Sequence, residues 1–266
     1  MRAAVLGSPI AHSLSPVLHR AAYTALGLDW TYDAVEVSSD GLATFMDGLG
    51  PDWAGLSLTM PLKQTVLPLL TSSDPLVTAT GVANTVVLRD GGRVGFNTDV
   101  AGIACALREA GTTKLSRAAV LGAGATAASA LAALAELGVR EVQVLARSPE
   151  RAAPLVDLGQ TLGVDVVVAP ISALAGLDAE VVVNTTPAHV LDDLAVGSAG
   201  TFLDVVYAPW PTVLADRFAA SGAVVVGGAV MLLHQAAAQV TLMTGRDAPL
   251  AAMRAALPSP GLPGDT

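Results

Sequence analysis

The segment Arg117-Ala-Ala-Val-Leu-Gly-Ala-Gly-Ala-Thr-Ala127 decides the fold of the second half of the chain. An apolar run typical of a buried strand leads into the pattern Gly-x-Gly-x-x-Ala, and a helical pattern follows as far as Leu137. Gly122 permits a tight turn, Gly124 lets a ligand approach the backbone, and Ala127 lets the helix pack close to the sheet. Because a helix start presents free N–H groups and the positive end of a dipole, this turn suits a pyrophosphate. The pattern predicts a dinucleotide site, and the alternative is a tight turn in another α/β fold.

The residues after the next predicted strand, 142–145, indicate which dinucleotide binds. An NAD site usually has Asp or Glu here to hold the ribose 2′-hydroxyl. In this chain Arg147 and Ser148 follow the strand, and Arg151 lies one helical turn further on. Two guanidinium groups and a hydroxyl can clamp a 2′-phosphate, so we predict NADP rather than NAD. The alternative is that both arginines are ordinary surface charges. The predicted cofactor contacts of these two loops are Gly122, Ala123, Gly124, Ala125, Thr126, Arg147, Ser148 and Arg151.

Four more apolar runs, at 164–168, 180–183, 201–206 and 223–226, are typical of buried parallel strands. Their alternation with helical patterns predicts a Rossmann-type dinucleotide-binding domain. Ligands of such sheets bind beyond the carboxyl ends of the strands. In the loops after these strands we assign Thr185 and Val205 to the cofactor and expect Tyr207 to face the ligands. The alternative for Asn184-Thr185-Thr186-Pro187 is a simple polar turn. A long helical pattern at 230–244 then places Gln235 and Gln239 four residues apart on one face.

The first hundred residues also alternate short apolar strands with helical patterns, which predicts a second α/β domain with a mostly parallel, covered sheet. The turn Asp90-Gly91-Gly92 indicates a hairpin. We predict strands at 3–6, 32–37, 53–58, 86–89 and 94–96, and helices at 16–26, 40–49, 75–80 and 100–110. We expect Ser15, Ser38 or Ser39, and Thr98 or Asp99 as N-caps.

The segment Leu58-Thr59-Met60-Pro61-Leu62-Lys63 reads as a corner between a strand and a helix. Thr59 is the expected capping hydroxyl, and Lys63 falls in the first helical turn, where the helix dipole disfavours a cation. The chain has only two lysines, Lys63 and Lys114. Because a residue that breaks a local rule is a candidate for function, Lys63 is a candidate catalytic group. The alternative is a solvated surface lysine.

Several polar side chains of the first half follow predicted strand ends or loops, and we expect them at one carboxyl edge of the sheet. They combine hydroxyls, amides, one ammonium and one carboxylate, which suits a small polyol that carries a carboxylate. They suit a metal poorly, and the four histidines have no ligand spacing. These residues are Ser13, Ser15, Thr59, Lys63, Asn84, Asn97, Thr98 and Asp99.

Composition excludes several classes of protein. The chain has 266 residues, is 52% hydrophobic and carries a net charge of −9, so two domains with sizeable cores are expected. The negative charge argues against a nucleic-acid or anionic-membrane surface. A single cysteine, Cys105, is expected in the core and fits a reducing compartment. We find no signal-peptide pattern and no apolar run of roughly 18 residues, and we predict a cytoplasmic protein.

Five motifs, in order along the chain, resemble the signatures of shikimate dehydrogenases. They are Gly7-Ser8-Pro9-Ile10-Ala11-His12-Ser13-Leu14-Ser15-Pro16, Leu58-Thr59-Met60-Pro61-Leu62-Lys63, Ala83-Asn84-Thr85, Gly95-Phe96-Asn97-Thr98-Asp99 and Met231-Leu232-Leu233-His234-Gln235-Ala236. The resemblance implies reversible reduction of 3-dehydroshikimate to shikimate with NADP, a step of aromatic amino-acid biosynthesis. It leaves open a homodimer or a monomer.

The resemblance also implies residue roles. Lys63 and Asp99 are expected as the catalytic pair, and Gly228 as backbone against the nicotinamide. Substrate contacts are expected from Ser13, Ser15, Thr59, Asn84, Tyr207 and Gln235. The implied domains are a substrate domain, 1–100 completed by a helix at 229–257, and an NADP domain, 101–228. Residues 258–266 are expected to be a disordered tail.

Two departures from the family pattern bear on the cofactor. Ala125 stands where a third glycine is common, and Ala146 stands where an asparagine usually precedes the arginine of the 2′-phosphate. Two rival functions remain at this point. One is a quinate-preferring, NAD-linked relative, which an acidic residue at the strand end would have favoured. The other is a non-catalytic NADPH-binding sensor, which the presence of both Lys63 and Asp99 disfavours.

Overall fold

A computed structural model describes residues 1–112 and 115–258. The described chain forms two compact units. Unit 1 contains Met1–Gly102 and the described part of Leu232–Ser259, and unit 2 contains the described part of Ile103–Met231. Lys114 and most of the predicted tail, 259–266, lie outside the described residues. Within the described ranges, no helix has the length and apolar character needed to cross a membrane.

Unit 1 is built on a six-stranded sheet with helices on both faces. Alternate residues of its first strand enter two different apolar clusters, Ala3 and Val5 on one face and Ala4 and Leu6 on the other. This period of two is the signature of a strand that is covered on both sides. The strands are β1 Arg2–Gly7, β2 Thr31–Glu36, β3 Trp53–Leu58, β4 Ser72–Ser73, β5 Thr85–Arg89 and β6 Gly92–Phe96. The helices are α1 Ser15–Ala25, α2 Leu42–Asp47, α3 Leu62–Thr65 and α4 Pro75–Thr80, followed by α5 Thr98–Glu109.

The order of the unit 1 sheet is β2-β1-β3-β5-β6-β4. β1 pairs in parallel with β2 and β3, and β4 pairs in parallel with β6. β5 runs antiparallel to both β3 and β6, as the predicted hairpin requires. The start of β5 therefore lies at the same sheet edge as the ends of β3 and β6. The sheet is mostly parallel, as predicted, and its antiparallel strand helps to build the edge that carries the polar residues.

Two predicted helix caps of unit 1 are wrong. Ser15 is the first residue of α1, and its backbone N–H donates to Ser13 Oγ at 3.3 Å. Thr59 lies too early to cap α3, which begins at Leu62 after Pro61 and has no side-chain cap. The Leu62 N–H donates instead to the backbone carbonyl of Thr59 at 2.7 Å. Both helices start without a side-chain cap, because Ser15 lies inside α1 and Thr59 lies before the N-cap position of α3.

Two further helices begin elsewhere than predicted. α2 is shorter than the predicted 40–49 and begins after Gly41, and neither Ser38 nor Ser39 is its N-cap. α5 begins at Thr98, so Asp99 lies within its first turn instead of preceding it. A carboxylate in a first turn is favoured by the helix dipole. The dipole thus supports the position of Asp99 even though the predicted boundary is two residues late.

Unit 2 is a six-stranded sheet in which every pairing is parallel. Its order is β12-β11-β10-β7-β8-β9, the doubly wound order of a Rossmann fold, which confirms the predicted fold class. Cys105 of this unit is half-buried and does not belong to the fully buried core. The strands are β7 Arg117–Leu121, β8 Glu141–Ala146, β9 Asp165–Pro170, β10 Asp178–Asn184, β11 Ser198–Asp204 and β12 Val224–Val226. The helices are α6 Ala125–Glu136, α7 Ala153–Leu162 and α8 Val213–Ala220.

The last two helices are α9 Gly228–Thr244 and α10 Leu250–Ala255. α9 begins in unit 2 and continues into unit 1, where Leu233, Ala236 and Val240 join the apolar cluster of α1 and β1. This packing fixes the rotation of α9, and it turns the face with Gln235 and Gln239 toward buried polar partners.

Candidate active site

Asn84 lies at the centre of the polar edge of unit 1. Its backbone carbonyl accepts the Leu58 N–H at 2.7 Å, and its own N–H donates to the Phe96 carbonyl at 3.1 Å. These bonds place it between the ends of β3 and β6, directly before β5. Asn84 was expected after a strand end or in a loop, at the carboxyl edge of the sheet. It reaches the predicted edge because β5 is antiparallel to its neighbours.

Lys63 and Asp99 form a close ion pair at this edge. Lys63 Nζ donates to Asp99 Oδ2 at 2.6 Å, and the two side chains are 15% and 5% exposed. α3 is a single turn, so its dipole opposes Lys63 little, and the carboxylate of Asp99 balances the ammonium charge. Water screens such a sheltered pair less than it screens a surface pair. The lysine is therefore held by a specific partner and is not a freely solvated surface group.

The side-chain amide of Asn84 connects this pair to its surroundings. Its Oδ1 accepts the backbone N–H of Thr98 at 2.8 Å, and a backbone N–H can only donate. This contact fixes the orientation of the amide, so Nδ2 faces Asp99 Oδ1 at 2.8 Å. Nδ2 also donates to Gln235 Oε1 at 3.3 Å. The structure thus brings Lys63, Asp99, Asn84 and Gln235 into one hydrogen-bonded cluster.

The predicted hydroxyls of unit 1 lie on, or directly after, two loops that follow strands of the same sheet. Ser13 lies in the loop between β1 and α1 and is half-buried, and Ser15 is the first residue of α1 and is 5% exposed. Thr59 follows β3, is half-buried, and donates its N–H to the Leu6 carbonyl at 2.9 Å. That bond holds the end of β3 beside the end of β1. Both loops therefore leave the sheet at the edge that holds the Lys63–Asp99 pair.

This edge has the groups needed for acid–base chemistry on an alcohol or a ketone. Lys63 can donate or accept a proton, and Asp99 orients it. The amides and hydroxyls around them can bind the hydroxyl groups of a substrate. Within the described part of the chain, no group of three or more His, Cys, Asp or Glu side chains could hold a metal ion.

In unit 2, the turn after β7 has the geometry of a nucleotide-binding loop. Gly122 has φ +105°, and a Cβ at this position would lie 2.7 Å from Thr185 Oγ1. Thr185 Oγ1 in turn donates to the Leu121 carbonyl at 2.7 Å. β7 and β10 are adjacent in the sheet, and the strand order reverses between them, which is where such sheets bind ligands. Thr185 therefore packs against the first glycine of the loop at the expected binding position.

The second glycine of this loop is open to a ligand. A Cβ at Gly124 would meet no protein atom within 4 Å, and its φ of −101° suits any residue. Gly124 is the N-cap of α6 and gives it no side-chain cap. The first N–H groups of α6, from Ala125 and Thr126 onward, are thus available to an anion. The loop, including Ala123, fits the pyrophosphate of a dinucleotide.

The predicted 2′-phosphate clamp follows β8, next to this loop in the sheet. Arg147 and Arg151 are exposed, and Ser148 is half-buried. The backbone N–H of Arg151 donates to the Ser148 carbonyl at 3.0 Å, which folds the two arginines into one short turn. Among the described residues neither arginine forms an ion pair. Two cations without an acidic partner fit the 2′-phosphate that distinguishes NADP from NAD.

The loop after β11 is held by a buried carboxylate, Asp204, which is not among the predicted site residues. Asp204 accepts hydrogen bonds from Asn184 Nδ2 at 3.0 Å, Thr212 Oγ1 at 2.7 Å and the Val206 N–H at 3.1 Å. Burial raises the pKa of Asp204, although these hydrogen bonds oppose the shift. An aspartate that ends an apolar run and is followed by two prolines was the available signal for such an anchor.

Three predicted ligand contacts belong to this part of unit 2. Val205 and Tyr207 are half-buried in the loop after β11. Gly228 donates its N–H to the Val206 carbonyl at 3.2 Å, and a Cβ on Gly228 would overlap the Val205 carbonyl. Glycine is therefore required at 228 by the approach of two backbones. Tyr207 lies in unit 2, whereas the other predicted substrate contacts lie in unit 1.

Three family models match most of the chain. Residues 5–86 match the shikimate dehydrogenase substrate binding domain, residues 104–191 match shikimate / quinate 5-dehydrogenase, and residues 228–257 match the shikimate 5'-dehydrogenase C-terminal domain. The first model covers the edge with Lys63 and Asn84, and the second covers the glycine loop of unit 2.

Individual proteins are similar over nearly the whole length. A curated shikimate dehydrogenase (NADP(+)) of Anaeromyxobacter dehalogenans is 40% identical, with 95% of this chain and 94% of the relative covered. The crystal structure of Mycobacterium tuberculosis shikimate dehydrogenase is 44% identical with a TM-score of 0.89, and 96% of this chain and 98% of that chain are covered. The Thermus thermophilus shikimate 5-dehydrogenase in complex with NADP(H) and shikimate is 34% identical with a TM-score of 0.85, at 96% and 98% coverage. The two sheets, the paired lysine and aspartate, the glycine loop and these matches together show that the chain belongs to the shikimate dehydrogenase family.

Proposed function

We propose that this protein catalyses the reversible, NADPH-dependent reduction of 3-dehydroshikimate to shikimate in aromatic amino-acid biosynthesis. The observation that carries the proposal is the sheltered Lys63–Asp99 pair, 2.6 Å apart, in a chain that matches this family along its length. A sensor that only bound NADPH would have no need of a sheltered acid–base pair. The quinate-preferring alternative is disfavoured by the absence of a carboxylate directly after β8.

Each unit has a separate part in this proposal. Unit 1 is the substrate domain, and the shikimate carboxylate binds the hydroxyls of Ser13 and Ser15. The ring hydroxyls bind Thr59, Asn84 and Gln235, and Tyr207 is a further proposed substrate contact. The proposed boundaries are 1–100 with 229–257 for the substrate domain and 101–228 for the NADP domain.

The described residues of unit 2 fit NADP. Gly122, Ala123, Gly124, Ala125 and Thr126 hold the pyrophosphate at the start of α6. The 2′-phosphate lies between Arg147 and Arg151, with Ser148 beside them. The remaining proposed contacts, near the nicotinamide, are Thr185, Val205 and Gly228.

Lys63 moves the proton of the reaction. Bound NADPH supplies a hydride to the ketone carbon, and the ketone oxygen becomes an alcohol oxygen that needs a proton. The Lys63 ammonium donates this proton and stabilises the charge that develops on the oxygen. In the oxidative direction the neutral amine accepts the hydroxyl proton. Asp99 holds the amine in line with the reacting oxygen throughout.

The proposal is tested by the absorbance of reduced nicotinamide when shikimate or quinate is added with NADP or NAD. We expect turnover to be fastest with shikimate and NADP. Turnover mainly with quinate and NAD would overturn the assigned specificity. Binding of NADPH without turnover in any combination would place the protein among sensors. A cytoplasmic location, based on cysteine content, and a homodimeric or monomeric state remain predictions.

A further inference from the structure

Gln239 has no part in the function proposed above, yet both the oxygen and the nitrogen of its buried side-chain amide are hydrogen-bonded within unit 1. It lies one turn after Gln235 on α9 and is 1% exposed. Its Nε2 donates to Thr85 Oγ1 at 2.9 Å and to the Asn84 carbonyl at 3.3 Å. Its Oε1 accepts from Ser57 Oγ at 2.7 Å. A side chain in this position joins the core of unit 1 to the residue at the centre of the active-site edge.

The orientation of the Gln239 amide is fixed at both ends. The Asn84 carbonyl can only accept, so it must face Nε2 and not Oε1. On the other side, Ser57 Oγ accepts a hydrogen bond from Tyr32 Oη at 2.6 Å and donates its own hydrogen bond to Gln239 Oε1. His19 Nε2 also faces Oε1, at 3.2 Å. A rotated amide would set two acceptors against each other at Asn84.

The imidazole of His19 supports this arrangement in its neutral form. Burial lowers the pKa of His19 to about 3, and the hydrogen bond to Gln239 opposes that shift. Because Oε1 can only accept, the proton of the ring lies on Nε2. Nδ1 is then an acceptor and faces Tyr23 Oη at 3.3 Å.

Thr85 links the side-chain amide of Gln239 to the side-chain amide of Asn84. Its hydroxyl accepts from Gln239 Nε2, so its single proton is donated onward, to Asn84 Oδ1 at 2.8 Å. The Thr98 N–H donates to the same oxygen at 2.8 Å, and the two bonds together keep Oδ1 turned away from Asp99, so that Asn84 Nδ2 donates to Asp99 Oδ1. The other oxygen of Asp99, Oδ2, accepts a hydrogen bond from Lys63 Nζ. The bonds run in one direction from Tyr32 to Asp99, through side chains that are all buried.

We propose that Gln239 and Thr85 are positioning residues, which set the amide of Asn84 and through it the geometry of the Asp99–Lys63 pair. The inference rests on the proposed function for its effect on turnover. A core gains nothing from buried polar groups that apolar ones of the same shape could replace. Hydrogen bonds that follow one another in a buried chain strengthen each other, which suits them to hold a reacting group still.

The test of this inference is Thr85→Val, which keeps the shape of a buried strand residue and removes only the hydroxyl. We expect kcat to fall about tenfold, the scale of one buried hydrogen bond. KM for shikimate should change less than threefold, because the proposed substrate contacts remain in place. Thr85→Ser keeps the hydroxyl and should restore most of kcat.

Thr201→Val is the matched control for stability. Thr201 lies in β11 of unit 2 and is 7% exposed. Its hydroxyl forms a hydrogen bond with Thr112 Oγ1 at 3.1 Å. The same chemical change is thus made at a buried threonine hydroxyl of unit 2, outside the hydrogen-bonded network of unit 1. We expect this variant to lose stability like Thr85→Val and to keep its turnover.

A readout without turnover separates failure of this inference from failure of the proposed function. Lys63 is one of two lysines, so the Nζ signals of ¹⁵N-lysine-labelled protein can be assigned with a Lys114→Arg variant. The Lys63 signal should shift in Thr85→Val and stay in place in Thr85→Ser and Thr201→Val. If Thr85→Val does not fold, Gln239→Met should shift the same signal, because it removes both donors to Thr85 and Asn84.

Two results would overturn the inference. One is an unchanged Lys63 signal with full kcat in Thr85→Val. The other is a Thr85→Ser variant as impaired as Thr85→Val, since the hydroxyl would then not be the group that matters. If the wild-type protein does not oxidise shikimate, the proposed function fails. The Lys63 signal then still shows whether Thr85 determines the geometry of the Asp99–Lys63 pair.

Discussion

The polar edge of the unit 1 sheet and the glycine-loop edge of the unit 2 sheet are built in different ways. At the edge of unit 1, side chains hold other side chains: Lys63 is bonded to Asp99, Asp99 to Asn84, and Asn84 to Thr98 and Gln235. At the edge of unit 2, the backbone provides the shape through a turn at Gly122 and an uncapped helix start. The charged groups there, Arg147 and Arg151, extend into solvent.

This difference follows from what each edge is proposed to do. A group that transfers a proton must be held in one geometry before the substrate arrives, and buried hydrogen bonds achieve this. A cofactor brings its own reactive atom, so its edge needs only space, N–H groups and charge. Substitutions in unit 1 should therefore reduce turnover, and substitutions in unit 2 should reduce cofactor affinity.

The largest effect should come from Lys63→Ala. We expect kcat to fall about a thousandfold, roughly 4 kcal/mol of transition-state stabilisation, with little change in the Kd of shikimate. The proposed proton donor is lost, and the proposed substrate contacts remain. Steady-state kinetics and calorimetric binding measure the two effects, and Lys114→Ala is the matched control. Weaker binding with unchanged kcat would remove Lys63 from the chemistry.

The next effect concerns the pH dependence of stability. His19 is neutral when folded, and burial lowers its pKa to about 3 from an ordinary 6.5. Between these values the unfolded chain binds more protons, so the free energy of unfolding falls as the pH falls. The loss should be about 2 kcal/mol at pH 5. Asp204, whose pKa is raised, opposes this trend above its ordinary value near 3.8, because its protonated form is favoured when folded.

Urea unfolding of His19→Gln across pH 5 to 7 isolates the contribution of His19. The variant should lack this part of the slope, whereas His12→Gln, at an exposed histidine, should keep it. An identical slope in wild type and His19→Gln would show that the ring is not held neutral within the unit 1 network.

An effect of similar size is expected from Arg147→Ala in unit 2. KM for NADP should rise about thirtyfold, which is about 2 kcal/mol for a charge-assisted contact to phosphate. KM for NAD and kcat should change little, since NAD lacks the 2′-phosphate. Arg140→Ala, at the other end of the same strand, is the control. If NADP and NAD were affected equally, the arginine would not be part of a 2′-phosphate clamp.

The smallest effect should be that of Gly124→Ala. A methyl group fits the backbone and meets no protein atom, so the melting temperature should be unchanged. KM for NADP should rise about tenfold, roughly 1.4 kcal/mol, because the methyl group occupies the space proposed for the pyrophosphate. Gly122→Ala should do the reverse and reduce stability by about 1 to 3 kcal/mol, because its φ is positive. A loss of stability at Gly124 would mean that the fold, and not the cofactor, requires this glycine.

The Rossmann unit could be predicted from the sequence because its signals are local. The glycine loop, β8 and the apolar runs of β10 and β11 each depend on neighbouring residues, and the structure confirms these elements within a few residues. The fold class of unit 1 and its hairpin were predicted for the same reason. Helix starts were predicted less well, because Ser15 and Thr59 resemble caps by residue type and only the path of the chain excludes them.

The cluster around Asn84 depends on pairing between distant strands, which local patterns do not contain. Asn84 was expected after a strand end or in a loop, at the carboxyl edge of a parallel sheet. It reaches that edge because it directly precedes β5, which is antiparallel to both of its neighbours. Gln239 was visible as a partner of Gln235 on one helix face. Its bonds to Thr85 and Ser57 required β3, β5 and α9 to be placed together.

The most direct test of the central claim is a single turnover. Protein loaded with NADP is mixed rapidly with excess shikimate, and the absorbance of reduced nicotinamide is followed. We predict that reduced nicotinamide forms within the first turnover, at up to one equivalent per chain, and that added 3-dehydroshikimate reverses it. Binding of shikimate to the loaded protein with no reduced nicotinamide formed would contradict the account.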